Sequence, residues 1–452
     1  MKKEHNIDMC NGPIVSKMLL FSLPLMFSSI LQLLFNAADL VVVGRYGSSD
    51  SYAAVGSTGS LVNLMINLFI GLSVGVNVLV ARYMGSKQNE ELEKTVHTSI
   101  LISLIIGLFL AVFGFFTVPL FLEYMNLKGN ILRLASLYLQ IYFLGMPATM
   151  VYNFGSAILR AGGDTKRPMY YMVIAGVVNV CFNLLFVIVF NLDVAGVAIS
   201  TVISQVLSAL LICFALMREK GPLKLSLRKL SVNGQILKKI MQIGLPAGFQ
   251  GTLFSLSNVF IQSSVNTFSD AVISGNSSAI TIEGFVYVAM NAFHQAALSF
   301  TGQNVGAGNK KRVGKITLIA LILVTITGLV LGNLAVLYGP FLLKFFTDKP
   351  DIIEAGMIRL RIICSVYFLC GIMDVMVGSL RGLGYSTMPA IVSLIGACAL
   401  RLLWLATVFK IDRFHTIETV YFSYPISWLL TFLVHLLCFA IVYRKYMKSN
   451  EQ

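Results

Sequence analysis

Three carboxylates stand where water should be scarce. Of the 20 Asp and Glu residues in this 452-residue chain, only Asp39, Glu283 and Asp374 fall well inside long apolar stretches. A charge at the centre of a helix in lipid costs about 2.5–3.5 kcal/mol on insertion scales, so each needs a partner, a proton or water. They are the first candidates for ion or substrate chemistry, the plainer reading being a carboxylate hydrogen-bonded for packing. Gln32, Asn36 and Asp39 recur at i, i+4 and i+7, on one helix face. Asn179 and Asn183 share a face farther on, and so do Thr201, Ser204 and Gln205. One carboxylate among several neutral oxygens suits a small hard cation or a titrating proton. The alternative is that Asn, Thr and Gln merely join helices. Glu283, Tyr287, Met290 or Asn291, and His294 form a second helical stripe. Charge, ring face and thioether together suit a cationic, partly apolar ligand, although Met, Tyr and a lone His on such a helix also simply pack.

The elements that must carry these groups are membrane helices. The chain is 57% hydrophobic and 12% charged, and its apolar residues arrive in blocks such as 100–119, 170–190 and 316–337. About 20 apolar residues span a bilayer as a helix, and lipid forces each backbone polar group to pair within its segment. Twelve spans are expected, at 14–43, 53–83, 95–120, 131–160, 168–190, 194–217, 237–267, 276–304, 314–343, 354–381, 389–409 and 417–444. Several exceed the minimum length, which calls for tilt or kinks. The N-terminal MKKEHNIDMC has no apolar stretch before a small-residue cleavage site, so no cleavable signal is expected.

With a cytoplasmic N-terminus, 24 of the 34 Lys and Arg fall on the cytoplasmic side, seven of them within 218–239. The positive-inside rule then places both termini in the cytoplasm of a multi-pass cell-membrane protein, the inner membrane in a two-membrane cell. The net charge of +14 is accounted for by topology, and no nucleic-acid partner is expected. The seven Cys form no CxxC pair, and phosphate-loop, GxSxG and HExxH motifs are absent. Neither a zinc site, an ATP-driven pump nor an enzyme is indicated, and no cofactor is expected.

The chain repeats itself. LRAGGDTKRP (159–168) matches LRGLGYSTMP (380–389), Leu23-Pro24 matches Leu245-Pro246, and Ala81–Gly85 matches Gly302–Gly306, at offsets of 221 or 222 residues. Six spans separate equivalent positions, so the halves are parallel repeats, the plan in which transporters place substrate between halves and rock them. The domains expected are 1–217 and 237–452, each a six-helix bundle, joined by a cytoplasmic linker at 218–236. Arg160 and Arg381 are expected in the last helical turn at the headgroups, glycines in left-handed caps, and Pro168 and Pro389 near helix starts. The offset pairs Asp374 with Asn153.

Two six-helix halves, the paired LRAGGDTKRP and LRGLGYSTMP phrases, the Pro24 and Pro246 helices and GQNVGAGNKKR (302–312) together resemble the multidrug and toxic compound extrusion (MATE) family, over nearly the whole chain. The resemblance implies an all-α membrane protein of two pseudo-symmetric bundles forming a V around a central cleft. It implies a proton- or Na+-coupled antiporter of amphipathic, often cationic organic compounds; small organic substrates and the bilayer are the expected partners, and a monomer is the expected state. It looks closer to the DinF-like than the NorM-like branch. In the former, a first-helix Asp, fifth-helix Asn and Asp residues and a sixth-helix Thr form a proton or cation site. By motif position these look like Asp39, Asn179, Asn183 and Thr201, with Asn36 and Gln32 on the same face as Asp39. Position 183 departs from the pattern, being Asn where Asp would stand, which leaves H+ and Na+ both open. The NorM-like seventh-helix Glu would fall near Ser255 and is missing, and Asp374 lies four residues nearer Arg381 than its NorM-like equivalent. Glu283, Asp374, Asn153, Tyr287, Met290, Asn291 and His294 are the expected substrate-binding set, and Arg401 is a candidate partner for Asp374 or Glu283. A lipid-linked saccharide flippase of the same broad superfamily is the alternative, though such proteins need basic cavity residues. A receptor or scaffold is disfavoured by the duplication.

Overall fold

The computed structural model describes residues 6–125 and 127–448, so residues 1–5 of the N-terminal stretch read for a signal lie outside the described residues. All regular structure among the described residues is helical. The first half holds Ile14–Tyr46, Ser49–Gly85, Asn89–Tyr124, the bent pair Gly129–Leu144 with Met146–Ala161, Lys166–Leu184 and Asp193–Met217. The second holds Gly234–Val265, Asp270–Gly306, Lys310–Leu337, the bent pair Pro350–Ile363 with Phe368–Gly382, the run from Thr387 to Lys410, and Ile417–Lys448. These are twelve rods in the expected order. Eight are long and apolar enough to cross a membrane, and the two bent pairs bring the number to ten. Gly234–Val265 and Asp270–Gly306, of 32 and 37 residues, are long enough but more polar.

Several rods depart from the straight spans expected. The fourth bends by 48° at Gly145 and the tenth by 47° around Cys364–Val366. The expected span 314–343 ends at Leu337, where Gly339-Pro340 starts a separate short helix, because proline cannot continue the ladder. The eleventh rod contains a π stretch, Leu394–Ala399, just before Arg401.

Two compact units result, and their borders differ from the sequence halves. Among the described residues, unit 1 comprises 6–7 and 27–245, and unit 2 comprises 8–26 and 246–448. The borders fall inside the first and seventh helices, next to Pro24 and at Pro246. In unit 1 a core of Val43, Leu110, Leu139, Phe143, Met146 and Val197 is fully buried or nearly so. The 218–236 connection packs back on the third helix, where the Ser226 amide donates to His97 Nε2 at 3.0 Å and Thr98 Oγ1 to the Ser231 carbonyl at 3.3 Å.

The repeated phrase is a helix stop in both copies. Gly163 and Gly384 take φ of +93° and +91°, the left-handed region closed to most side chains. A Cβ on Gly163 would also lie 2.4 Å from the Ile7 carbonyl oxygen. Arg381 does not reach the headgroups as expected. It is 6% exposed and gives Nη2 to Gln250 Oε1 at 2.8 Å.

Candidate functional site

In unit 1 the first, fifth and sixth helices bring four of the expected residues into one hydrogen-bonded chain. Asn183 Nδ2 donates to Asp39 Oδ1 at 2.5 Å and to Asn179 Oδ1 at 3.3 Å. Asn179 Nδ2 reaches Thr201 Oγ1 at 3.4 Å, and that hydroxyl donates to the Val197 carbonyl at 2.9 Å. Asn183 is fully buried and Asn179 nearly so. Helical spacing explains why they meet: residues four apart stack on one face. Gly176 lets the helices close, since a Cβ there would fall 1.8 Å from the Phe35 ring.

Asn183 Oδ1 is buried with no hydrogen-bond partner among the described residues. A carboxylate, this free amide oxygen and a threonine hydroxyl oxygen with its proton already committed form an oxygen-rich locus in an apolar bundle. Oxygen donors of this kind suit a hard monovalent cation, and the lone carboxylate equally suits a proton. Tyr138 and Tyr142 stand within the field of Asp39. Gln32 and Asn36 do not join: both are exposed, and among the described residues neither bonds into the chain.

The second-half stripe divides. Tyr287 lies within hydrogen-bonding reach of the Asp374 carboxylate and of Asn291, and is 37% exposed. His294, by contrast, is buried with Nδ1 2.6 Å from the Asp374 backbone carbonyl, fixing the eighth helix to the tenth. Met290 is 2% exposed, its sulfur pressed where a Cβ on Gly328 would be only 2.7 Å away. It fills a core gap and offers no surface to a ligand. Asn153, the repeat counterpart of Asp374, is half-buried and spends Nδ2 on the Thr149 carbonyl at 2.9 Å.

Glu283 is not a free carboxylate. Arg359 Nε donates to Glu283 Oε2 at 2.7 Å and Nη1 to Asn276 Oδ1 at 2.9 Å, with both charged residues at most 5% exposed. Asn276 also accepts from the Tyr421 hydroxyl at 3.1 Å and donates to Gln262 at 3.0 Å, while the guanidinium sits 5.3 Å from the ring centres of Tyr421 and Tyr424. This knot joins the seventh, eighth, tenth and twelfth helices. Arg359 is not among the residues singled out in the sequence; PDIIEAGMIRLRII carries two arginines near an expected span's start, where charge is ordinary. The two-residue separation from exposed Arg361, which puts them on different faces, was the available signal. Arg401 pairs with neither Asp374 nor Glu283. Its Nε donates to Ser427 Oγ at 2.7 Å.

The MatE family profile matches residues 24–185 and 246–405, starting in each half at the proline inside its first long helix. This chain belongs to the MatE family. Its relatives include the probable multidrug resistance proteins YpnP and YoeA of Bacillus subtilis (strain 168). YpnP is 28% identical over 87% of this chain and 88% of that protein, and YoeA 26% over 95% and 94%. A solved structure described as the outward-facing conformation of a multidrug resistance MATE family transporter of the MOP superfamily matches with TM-score 0.92. It covers 99% of this chain and 100% of that one at 23% identity, a likeness of fold. MatE proteins are multi-pass membrane transporters rather than enzymes.

Proposed function

We propose that this MatE protein exports amphipathic, often cationic organic compounds from the cell, in exchange for protons or Na+ bound at Asp39. The observation that carries the reading is the chain Asp39–Asn183–Asn179–Thr201, with its buried amide oxygen left without a protein partner. The printed names of YpnP and YoeA support multidrug export. An ion entering here replaces water around Asp39 and compensates its charge, drawing the first helix toward the fifth and sixth. Pro24, which removes one backbone hydrogen bond of that helix, makes the rearrangement cheaper. Coupling requires only that the ion bind the two conformations with different affinity. Asp374 and Tyr287 are the substrate-facing pair in the second half, since Tyr287 remains exposed beside the carboxylate. The arrangement fits the DinF-like branch, and the charge distribution fits a cytoplasmic location for both termini.

The test uses proteoliposomes with an imposed proton or Na+ gradient and a cationic dye. Wild type should expel dye only with a gradient, and Asp39→Asn should lose at least 90% of that gradient-driven rate. Equal rates in both proteins would remove Asp39 from the mechanism.

A further inference from the structure

Unit 2 buries three arginines, Arg359, Arg381 and Arg401, at 4%, 6% and 4% exposure. Two have an answering carboxylate: Arg359 pairs with Glu283, and Arg381 lies in the field of Asp374 while bonding Gln250. Arg401 has none among the described residues. Among the described residues its Nε donates to the Ser427 hydroxyl, whose own proton goes to the Tyr424 carbonyl at 2.8 Å. Nη2 is buried and finds no protein acceptor. The rest of its surroundings is aromatic. The guanidinium carbon lies 4.2 Å from the Tyr424 ring centre and 5.4 Å from that of Trp428. Tyr367 packs on Trp428 at 5.3 Å.

A guanidinium cannot shed its proton, and ring faces soften a buried charge without neutralising it. Holding one inside a membrane bundle with an idle N–H is strongly unfavourable unless an anion completes it. The geometry of the helix points the same way. Arg401 follows directly on the π stretch Leu394–Ala399, whose wider turn resets the direction of the next side chains, and such bulges recur at functional sites. The π stretch ends at Ala399, two residues before the residue that carries the unanswered charge.

We propose that Arg401, Ser427, Tyr424 and Trp428 form a subsite for the anionic group of an amphipathic organic molecule, a sulfonate, carboxylate or phosphate on an apolar body. The unpartnered Nη2 offers a charge-assisted donor to an oxygen of such a group. The rings take the adjoining apolar part. The transporter's ligands therefore include organic anions and zwitterions, beyond the cations that Asp374 would favour. Calling the ligand a substrate rests on the export reading above. Binding itself does not, and is measured without any ion gradient.

The chain has two tryptophans, and Trp404 lies outside the subsite, donating to the Thr419 carbonyl at 2.9 Å. In Trp404→Phe protein held in nanodiscs, Trp428 emission is a local reporter. Octanesulfonate should shift it saturably, and octyltrimethylammonium, with the same alkyl chain and opposite head, should need at least tenfold more. Inorganic sulfate, lacking the chain, should also be at least tenfold weaker. Adding Arg401→Gln should abolish the sulfonate response, while Arg401→Lys, which keeps charge but not the fork, should weaken it about tenfold. Folding of each variant is checked by its thermal midpoint, and Arg401→Lys carries the test if Arg401→Gln unfolds. An equal response to both head groups, equal potency of bare sulfate, or undiminished affinity in Arg401→Lys would overturn the proposal. The octanesulfonate response should be intact in Asp39→Asn whether that variant loses dye export or keeps it, so failure of the coupling reading and failure of this one are distinguishable.

Discussion

Replacing Glu283 by Gln separates two roles for that carboxylate. If it served cationic substrates, the change would lower dye transport and leave the fold alone. The structure argues for the reverse. The ions are 2.7 Å apart, so their Coulomb attraction is about 6 kcal/mol at an effective dielectric constant of about 20. Most of that offsets dehydration, but deleting one ion strands the other, at about 3–5 kcal/mol. Glu283→Gln leaves Arg359 with Asn276 and two ring faces, and Arg359→Met leaves Glu283 with no cation in this knot. For a unit of this size each kcal/mol is worth about 2–4 °C, so either variant should lower the thermal midpoint by roughly 10 °C. The double variant Glu283→Leu with Arg359→Met removes both charges and should recover more than half of the loss, as replacement of buried pairs by apolar groups often does. Thermal scans of purified protein in detergent, with dye export by the surviving folded fraction, make the assay. A stable Glu283→Gln protein that no longer exports cationic dyes would refute the reasoning, as would a double variant no better than the worse single one.

The caps and the N-terminal segment yield further tests. Gly163→Ala forces a side chain into a left-handed turn and against the Ile7 carbonyl, and should cost about 1–2 kcal/mol or more. Hydrogen exchange should then rise around residue 7, where the amide donates to the Gly163 carbonyl at 3.1 Å. Burial acts to raise the Asp8 pKa, but hydrogen bonds from the Asn11 side chain and the Cys10 and Asn11 amides, with Lys17 nearby, outweigh it and hold the group below its usual 3.8. A depressed carboxylate contributes stability above its unfolded value, which is lost as pH falls through the folded one. Residues 8–12 should therefore keep their exchange protection down to about pH 4 and lose it below, and Asp8→Asn should be less protected at neutral pH and show no such step.

How much was legible follows from what each feature depends on. The twelve rods and their order could be read because lipid demands apolar runs with internally paired backbone, and local composition records that demand. The Asp39 locus was legible because Asn179 and Asn183 are polar groups at helical spacing in otherwise apolar sequence. Gln32 and Asn36 show the limit: sharing a face with Asp39 did not give them its partners. The Glu283–Arg359 pair spans 76 positions and two helices, and no local spacing encodes that contact. Arg401 was visible as an intramembrane charge. Its setting was not, because Tyr424 and Trp428 come from another helix and the π stretch that precedes Arg401 has no sequence signature. Likewise the exchange of the first and seventh helices at their prolines between units is a matter of packing, invisible to a repeat offset that simply cuts the chain in two.

The central claim is that a coupling ion binds at Asp39, and its most direct measurement is equilibrium ion binding to purified protein in detergent, by radioactive Na+ retention near neutral pH together with proton uptake on acidification. The account predicts one Na+ or one proton per chain bound by wild type and absent from Asp39→Asn, with Asp374→Asn unchanged. Undiminished stoichiometry and affinity in Asp39→Asn would contradict it.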